Sequence, residues 1–192
     1  IVQVNNECPY VFGGGYSFIH VSDVDFICEK DHKIPELPNP PIGDVEAKIA
    51  SFISERIPDG ACIQIGIGGV ANAVCAQLDS KKDLGVHTEM LVEAMLDLAQ
   101  KGVINGKKKN FHPNRITCAF GIGSRALYDF MDRNPLVETF PIAWVADPYT
   151  IAQNDYFTSV NNALTVDLTG QVCSESLGFD QFSGTGGQVD FV

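Results

Sequence analysis

The chain has 192 residues, with 24 acidic and 13 basic side chains and a formal net charge of −11. This balance argues against a nucleic-acid-binding or anionic-membrane-binding surface, and no stretch has the length of an apolar membrane span. Hydrophobic residues make up 45% of the chain and charged residues 19%, which is typical of a globular protein with a buried core. The length suits one large domain or one and a half smaller ones.

The first 43 residues contain little regular patterning. Residues 1–4 are predicted to end a strand, residues 5–16 to form a loop, and Ser17–Val21 and Val24–Cys28 to form short strands. Residues 33–43 contain four prolines (35, 38, 40 and 41). Proline fixes φ and restricts the residue before it, so this run is predicted to be an extended interdomain linker.

From residue 44 onward, strand and helix patterns alternate. A helix is predicted from an N-cap at Asp44, with an inward face of Val45, Ile49, Phe52, Ile53 and Arg56. The elements that follow are predicted to be strand 61–65, a helix from Val70, strand 84–87, helix 90–101, strand 116–122, a helix capped by Ser124, strand 137–145, helix 147–151 and strand 159–168. This order predicts an α/β fold with a mainly parallel sheet and flanking helices.

A glycine-rich turn follows the first strand of this part. Gly66, Gly68 and Gly69 interrupt the apolar pattern between strand and helix. Glycines let the backbone approach a ligand closely, and the free N–H groups of a new helix suit an anion. Glu89 comes directly after the next predicted strand. Because parallel strands end at the same edge, we expect this carboxylate to lie near the turn.

The turn alone does not decide the function. Its glycine spacing differs from the GxGxxG of dinucleotide-binding folds, and no Lys-Ser/Thr follows as in a P-loop. A tight strand-to-helix turn without a ligand remains an alternative.

Five runs taken together are more specific: GIGGVANAV, GVHTEM, DPYTIAQND, VDLTGQVCSESLG and QFSGTGGQVDF. In this order they resemble the family I coenzyme A transferases, and within them the acetyl-CoA hydrolase/transferase branch that includes butyryl-CoA:acetate and 4-hydroxybutyrate CoA-transferases. The resemblance covers about residues 1–192. It implies an internal fragment of a longer protein. Residues 1–32 would end an upstream α/β domain, residues 33–43 would be the linker, and residues 44–192 would be a truncated domain carrying the catalytic glutamate.

The resemblance also assigns roles to residues. Glu89 matches the family's catalytic glutamate, which attacks the thioester and later carries CoA as a glutamyl thioester. Gly66, Ile67, Gly68, Gly69 and Val70 match the turn that lines the CoA and acyl site. Ala71 stands where relatives usually carry proline, and the absence of that proline is expected to loosen the turn without abolishing the site. Gly184–Gln188 matches a second glycine loop facing the glutamate, with Gly186 or Gly187 as the contact.

Other candidate residues have simpler explanations. His87 shares a side of its strand with Glu89, but a packed core histidine is favoured over a general base. Lys107–Lys109 is interpreted as a solvated turn. Cys62 and Cys118 are predicted to be buried thiols in a reducing cytoplasm. The serines lie in no GxSxG context. Cys173 is interpreted as structural, and Glu175 as a possible second carboxylate.

The resemblance implies transfer of CoA between carboxylic acids, with butyryl-CoA and acetate as the leading pair in fermentation. The alternatives are 4-hydroxybutyrate transfer, acetyl-CoA hydrolysis, or a non-catalytic CoA-binding module in which Glu89 is structural. We expect no permanently bound cofactor and no metal, with the CoA thioester as substrate. The expected partners are acyl-CoA, short-chain carboxylates and further copies of the full-length protein. The fragment alone is expected to be inactive.

Overall fold

The computed structural model describes all of residues 1–192. The strands are β1 Val2–Val4, β2 Ile27–Glu29, β3 Cys62–Ile65, β4 Gly85–Val92, β5 Ile116–Ile122, β6 Val137–Thr139, β7 Phe157–Val160, β8 Thr165–Val166, β9 Val172–Cys173, β10 Ser176–Leu177 and β11 Asp180–Gln181. The helices are α1 Asp44–Ser54, α2 Gly69–Ala76, α3 Glu93–Gln100, α4 Arg125–Met131, α5 Ile142–Val145, α6 Pro148–Ile151 and α7 Gln188–Phe191.

The central feature is a sheet of five strands in the order β6-β5-β4-β3-β7. Every neighbouring pair in it is parallel, which confirms the predicted α/β fold. Parallel strands need crossover connections, and here helices supply most of them. Because the strands run the same way, their carboxyl ends meet at one edge of the sheet, the position where open α/β folds place ligands. We call this the carboxyl edge.

Two apolar cores hold the helices in place. The larger contains 24 buried residues drawn from the sheet, α1 to α4 and the adjoining loops. The smaller consists of Val145, Ile151 and Phe191, with partly buried aromatic side chains around them. It fixes the short helices α5, α6 and α7 together. The last helix of the chain is therefore tied to the sheet by a side chain that is only 5% exposed, Phe191.

Strand β4 is longer than predicted. The sequence pattern ends it at His87 and starts a helix at Met90, whereas the strand continues to Val92 and α3 begins at Glu93. The apolar residues 90–92 suit a buried strand as well as a helix, because a continuous apolar run has no period. Glu89 consequently lies within β4 rather than after it.

Several other predicted boundaries are also wrong. Ser17–Val21 contributes to 3₁₀ turns instead of a strand. The strand predicted over 137–145 ends at Thr139, and Pro141 stands at the N-cap of α5, where its fixed φ favours a new start. The strand predicted over 159–168 is divided between β7 and β8.

The start of α1 also differs from the prediction. Asp44 is the first helical residue, and Gly43 occupies the N-cap position without a side-chain bond. Of the predicted inward face, Val45 is 68% exposed and Phe52 is 54% exposed. The helix instead buries Ala50 and Ser54. Small residues at these positions bring α1 close to its neighbour α2.

Residues 30–43 form no helix or strand, as the proline content predicts. This stretch nevertheless packs against α4. The amide of Leu37 donates to the carbonyl of Gly123 at 3.0 Å, and the hydroxyl of Tyr128 donates to the carbonyl of Pro35 at 2.6 Å. Whether the stretch separates two domains remains a prediction. No helix of the protein is long and apolar enough to cross a membrane.

The interpretation of Lys107–Lys109 as a solvated turn is wrong for Lys109. Its side chain is 4% exposed, and its ammonium donates to the carbonyl of Val86 at 2.9 Å and to Oγ1 of Thr117 at 3.0 Å. Burial lowers the pKa of this lysine. Its alkyl chain crosses β4 at Gly85, where an added Cβ would lie 2.7 Å from Cδ. Lys109 therefore links β4 to β5.

All six cysteines are free thiols. Cys62 and Cys118 are buried as predicted, and Cys75 is buried as well. Burial raises the pKa of each of these three thiols to about 12.

Candidate active site

Glu89 lies on the face of β4 that also carries His87, because side chains two residues apart in a strand share a face. It is half-buried and is the only acidic residue within this central strand. Glu93, which directly follows the strand, instead accepts hydrogen bonds from the amide and the hydroxyl of Ser124. Its carboxylate forms no hydrogen bond and no ion pair anywhere in the chain. A half-buried carboxylate without a protein partner is available to a ligand.

Gly187 lies against this carboxylate. A Cβ added to Gly187 would lie 3.0 Å from Cδ of Glu89 and closer still to Oε2. Gly187 stands at the N-cap of α7, so the smaller apolar core anchors it. Gly186 has φ +54° and no atom within 4 Å of an added Cβ. Of the two glycines named in the sequence analysis, the structure places Gly187 against the carboxylate.

The first glycine turn leaves β3 and enters α2. Gly68 has φ +113°, a conformation that residues with a side chain rarely adopt. A Cβ on Gly69 would lie 3.1 Å from Cγ of Glu46 in α1. Ile67 is 49% exposed, and Val70 packs against the larger core. The nearest contacts of this turn are therefore α1 and the segment after β7, and Glu89 is not among them.

Two pockets open beside these loops. The first, of about 580 Å³, is lined by Gln188, Cys173 and Glu175 among others. The second, of about 300 Å³, lies between the first glycine turn and the proline-rich stretch and includes Ile67 and Gly68. Both pockets are large enough for part of a small-molecule ligand.

His87 is fully buried and is not placed to exchange protons with solvent. Its Nε2–H donates to the carbonyl of Val145 at 2.8 Å, and the rings of Trp144, Phe157 and Phe191 surround it. Burial lowers the pKa of His87 from 6.5 to about 4. The imidazole is neutral at pH 7, which supports the interpretation as a packed core histidine.

Four polar residues at the carboxyl edge, Gln64, Ser159, Asn161 and Asn162, were not recognised from the sequence. Gln64 is 5% exposed; it accepts from Oγ of Ser159 at 2.6 Å and from Nδ2 of Asn161 at 3.1 Å. Asn162 donates to the carbonyl of Ile67 at 2.5 Å. The sequence feature that could have revealed them is Gln64 itself, a glutamine inside the apolar run Ala61–Ile65. A polar residue within a buried strand needs hydrogen-bond partners nearby.

Comparison with known proteins shows which family the chain resembles. The model of the acetyl-CoA hydrolase/transferase C-terminal domain matches residues 123–192. Over 192 residues the chain is 47% identical to the 4-hydroxybutyrate coenzyme A transferase of Clostridium kluyveri, a match that covers 100% of this chain and 44% of that protein. The chain resembles the acetyl-CoA hydrolase/transferase family, and residues 123–192 carry the match to its C-terminal domain.

Further relatives agree with this family assignment. The butyryl-CoA:acetate CoA-transferase of Anaerostipes caccae is 44% identical over 196 residues, covering 100% of this chain and 44% of that protein. Among solved structures, RipA from Yersinia pestis superimposes with a TM-score of 0.87 at 35% identity, over 98% of this chain and 42% of that one. The 4-hydroxybutyrate CoA-transferase from Porphyromonas gingivalis gives a TM-score of 0.83 at 39% identity, over 88% of this chain and 43% of that one.

The chain spans less than half the length of these relatives. The family is one of enzymes, and the names of its members in these comparisons describe CoA transfer.

Proposed function

We propose that the protein to which this chain belongs transfers coenzyme A between short-chain carboxylic acids, with Glu89 as the nucleophile. The observation that carries the proposal is the unpartnered carboxylate of Glu89 beside the backbone of Gly187 at the carboxyl edge. A carboxylate is the one side chain that can receive an acyl group as an anhydride and then hold CoA as a thioester.

The reaction proceeds through four substitutions at carbonyl carbons. The Glu89 carboxylate attacks the acyl-CoA thioester, forming an acyl–glutamyl anhydride and releasing the CoA thiolate. The thiolate attacks the glutamyl carbonyl, releasing the first carboxylic acid as its carboxylate and leaving a glutamyl-CoA thioester. The second carboxylate attacks this thioester, and the released thiolate then attacks the new acyl carbonyl. A new acyl-CoA leaves and Glu89 is regenerated.

This sequence balances without an oxidant, a reductant or a net proton transfer. Each substitution passes through an oxyanion, and a backbone N–H group aimed at it contributes about 10²–10³ in rate. The first glycine turn has N–H groups free for this role, since those of Ile67 and Gly68 form no hydrogen bond within the chain. A neutral His87 leaves the negative charge of Glu89 without a nearby imidazolium.

Butyryl-CoA and acetate are the first substrates to assay, and 4-hydroxybutyrate is the next. One relative that matches the whole chain is named for each of these activities. The proposal includes three further points that rest on the family resemblance. These are a role in fermentative butyrate metabolism, a cytoplasmic location and a homo-oligomeric full-length protein.

The test is to incubate the full-length protein with butyryl-CoA alone and treat it with hydroxylamine or borohydride. A glutamyl-CoA thioester would yield a modified peptide at Glu89, detectable by mass spectrometry. Butyrate released in the first half-reaction should equal the number of active sites. CoA binding without modification of Glu89 would instead identify a non-catalytic CoA-binding module.

A further inference from the structure

The peptide between Ile67 and Gly68 is held from outside the turn. Two hydrogen bonds hold this part of the turn: the amide of Gly66 donates to the carbonyl of Val160 at 2.9 Å, and Nδ2 of Asn162 donates to the carbonyl of Ile67, within the peptide itself, at 2.5 Å. Both partners belong to β7 or to the residues directly after it. The segment that follows β7 therefore sets the shape of the first glycine turn.

The bond to the carbonyl of Ile67 fixes the direction of one N–H group. In a trans peptide the C=O and the following N–H point in opposite directions, and the chain contains no cis peptide bond. Holding the oxygen of Ile67 toward Asn162 turns the N–H of Gly68 away from Asn162. That N–H forms no hydrogen bond within the chain, and Gly68 lines the pocket of about 300 Å³.

Glycine alone would not maintain this direction. Gly68 at φ +113° has no Cβ to restrict its backbone, so the peptide before it can rotate with little steric resistance. The nearest atom to an added Cβ at Gly68 is Nδ2 of Asn162, at 3.1 Å. The same amide group that bonds Ile67 thus also contacts the face of Gly68 where a side chain would be.

Asn162 is itself anchored on two sides. Oγ of Ser174 donates to its backbone carbonyl at 3.1 Å. The preceding residue, Asn161, donates to Gln64 at 3.1 Å and to Oγ of Ser159 at 2.8 Å. Because Gln64 is buried in the central sheet, this group forms a rigid support for Asn162.

The support also reaches the second glycine loop. Oγ of Ser183 donates to the carbonyl of Ser174 at 3.3 Å, and the amide of Ser183 donates to the carbonyl of Glu175 at 3.0 Å. Ser183 directly precedes the glycine loop that places Gly187 against Glu89. A continuous set of hydrogen bonds therefore joins the two loops through Asn162.

We propose that Asn162 is a positioning residue, which holds the Ile67–Gly68 peptide so that the Gly68 N–H is available to the oxyanion of the transfer reaction. This inference rests on the proposed function. Asn162 acts through the backbone and touches neither of the reacting carbonyl groups. Its loss should reduce stabilisation of the transition state while leaving ground-state binding of acyl-CoA nearly intact.

The main variant is Asn162→Asp in the full-length protein, which keeps the shape but replaces the donor with a carboxylate that repels the Ile67 carbonyl. We expect kcat for butyryl-CoA and acetate to fall by about 10- to 10³-fold, the range for one misplaced oxyanion donor. KM for butyryl-CoA should change by less than about threefold, since uniform binding is retained.

Asn110→Asp is the matched control. Asn110 is also exposed, and its Nδ2 donates to the backbone carbonyl of Gln153 at 2.6 Å, so the chemical change is the same in a loop outside the proposed site. This variant should retain the wild-type kcat. If wild type and Asn110→Asp both transfer CoA and Asn162→Asp matches them, the inference is overturned. If the wild type transfers no CoA, the proposed function itself fails.

A second pair keeps the test decisive if Asn162→Asp lowers Tm. Asn162→Gln retains an amide donor, whereas Asn162→Leu keeps the branching at Cγ, with a larger side chain and no donor. We expect kcat of the Gln variant to exceed that of the Leu variant by about tenfold or more. Equal kcat values for these two variants would show that Asn162 is only a structural residue of the loop.

Discussion

The carboxylate of Glu89 and the backbone of Gly187 touch at the carboxyl edge, with Cδ of Glu89 lying 3.0 Å from the position of a Cβ on Gly187. Gly187 has φ −89° and ψ 1°, values that alanine also adopts. The absence of a side chain there is therefore a matter of space around the carboxylate and not of backbone strain.

Gly187→Ala should consequently impair transfer more than folding. The added methyl group would displace the Glu89 carboxylate, and we expect a fall in kcat of at least about tenfold from misalignment of the nucleophile. Gly184→Ala is the control in the same loop, because a Cβ at Gly184 meets nothing within 4 Å. Equal activities of the two variants in the full-length protein would contradict the assigned contact.

Glu89→Gln should reduce transfer to the background rate while CoA still binds. An amide preserves the shape of the side chain but is a very poor nucleophile. The measurements are steady-state transfer and equilibrium binding of CoA by the full-length protein. Glu55→Gln, an exposed change at the end of α1, controls for the loss of one charge. Retention of more than about one twentieth of wild-type activity by Glu89→Gln would remove Glu89 from the nucleophile role.

His87 should make the protein less stable in mild acid. Its pKa is about 4 in the folded state and about 6.5 when unfolded, so the unfolded chain binds more protons between these values. The stabilisation is therefore complete above pH 6.5 and is lost as pH falls from 6.5 towards 4. The full effect amounts to about 3 kcal/mol.

Urea unfolding of the wild type and of His87→Gln, compared at pH 5 and pH 7.5, measures this contribution. We expect the difference in unfolding free energy between the two pH values to be smaller in His87→Gln. We also expect the wild type and His87→Gln to show the same pH dependence of kcat. A step between pH 5 and 8 that disappears in this variant would indicate that His87 exchanges protons during catalysis.

Lys109→Ala should destabilise the fold by about 2–5 kcal/mol, since it leaves a cavity and removes a buried donor from the carbonyl of Val86 and the hydroxyl of Thr117. Lys107→Ala, in the same basic run but exposed, should change stability by less than about 0.5 kcal/mol. Chemical denaturation measures both. Similar losses for the two variants would show that Lys109 is solvated in solution.

Gly85 and Lys109 should be energetically coupled. A Cβ on Gly85 meets the alkyl chain of Lys109, so Gly85→Ala should be destabilising on its own. Its cost should be smaller in the Lys109→Ala background, where that chain is absent. A double-mutant cycle detects such coupling between residues in contact. Strictly additive unfolding free energies would indicate that the strand adjusts without involving Lys109.

The parts of the fold that could be predicted are those with a clear period or a strong local signal. Strands β3 and β5 lie where the apolar runs predict them, and Ser124 caps α4 through a bond to the amide of Ala126. The end of β4 could not be located, because the apolar residues 90–92 are compatible with both strand and helix.

The site was only partly accessible from the sequence for a different reason. A glycine turn and a carboxylate are recognisable locally, but their supports come from distant segments. Asn162 is separated from Ile67 in the sequence and meets it only because β7 pairs with β3. In the sequence Lys109 resembles a surface residue. It is buried because Gly85 has no side chain, which leaves space for the alkyl chain of Lys109. Tertiary contacts of this kind leave no periodic signal.

The three core thiols have a chemical consequence for a protein that handles thioesters. A sulfur exchanges acyl groups with a thioester only as its thiolate, and Cys62, Cys75 and Cys118, with pKa values of about 12, stay protonated at neutral pH. They cannot divert an acyl group from CoA, and they should not react with a thiol-specific dye in the native state. In a continuous colorimetric assay of released CoA, the protein's own background would come from the exposed Cys8 and Cys28 and from Cys173. Cys173 has its pKa lowered by a hydrogen bond with Ser176.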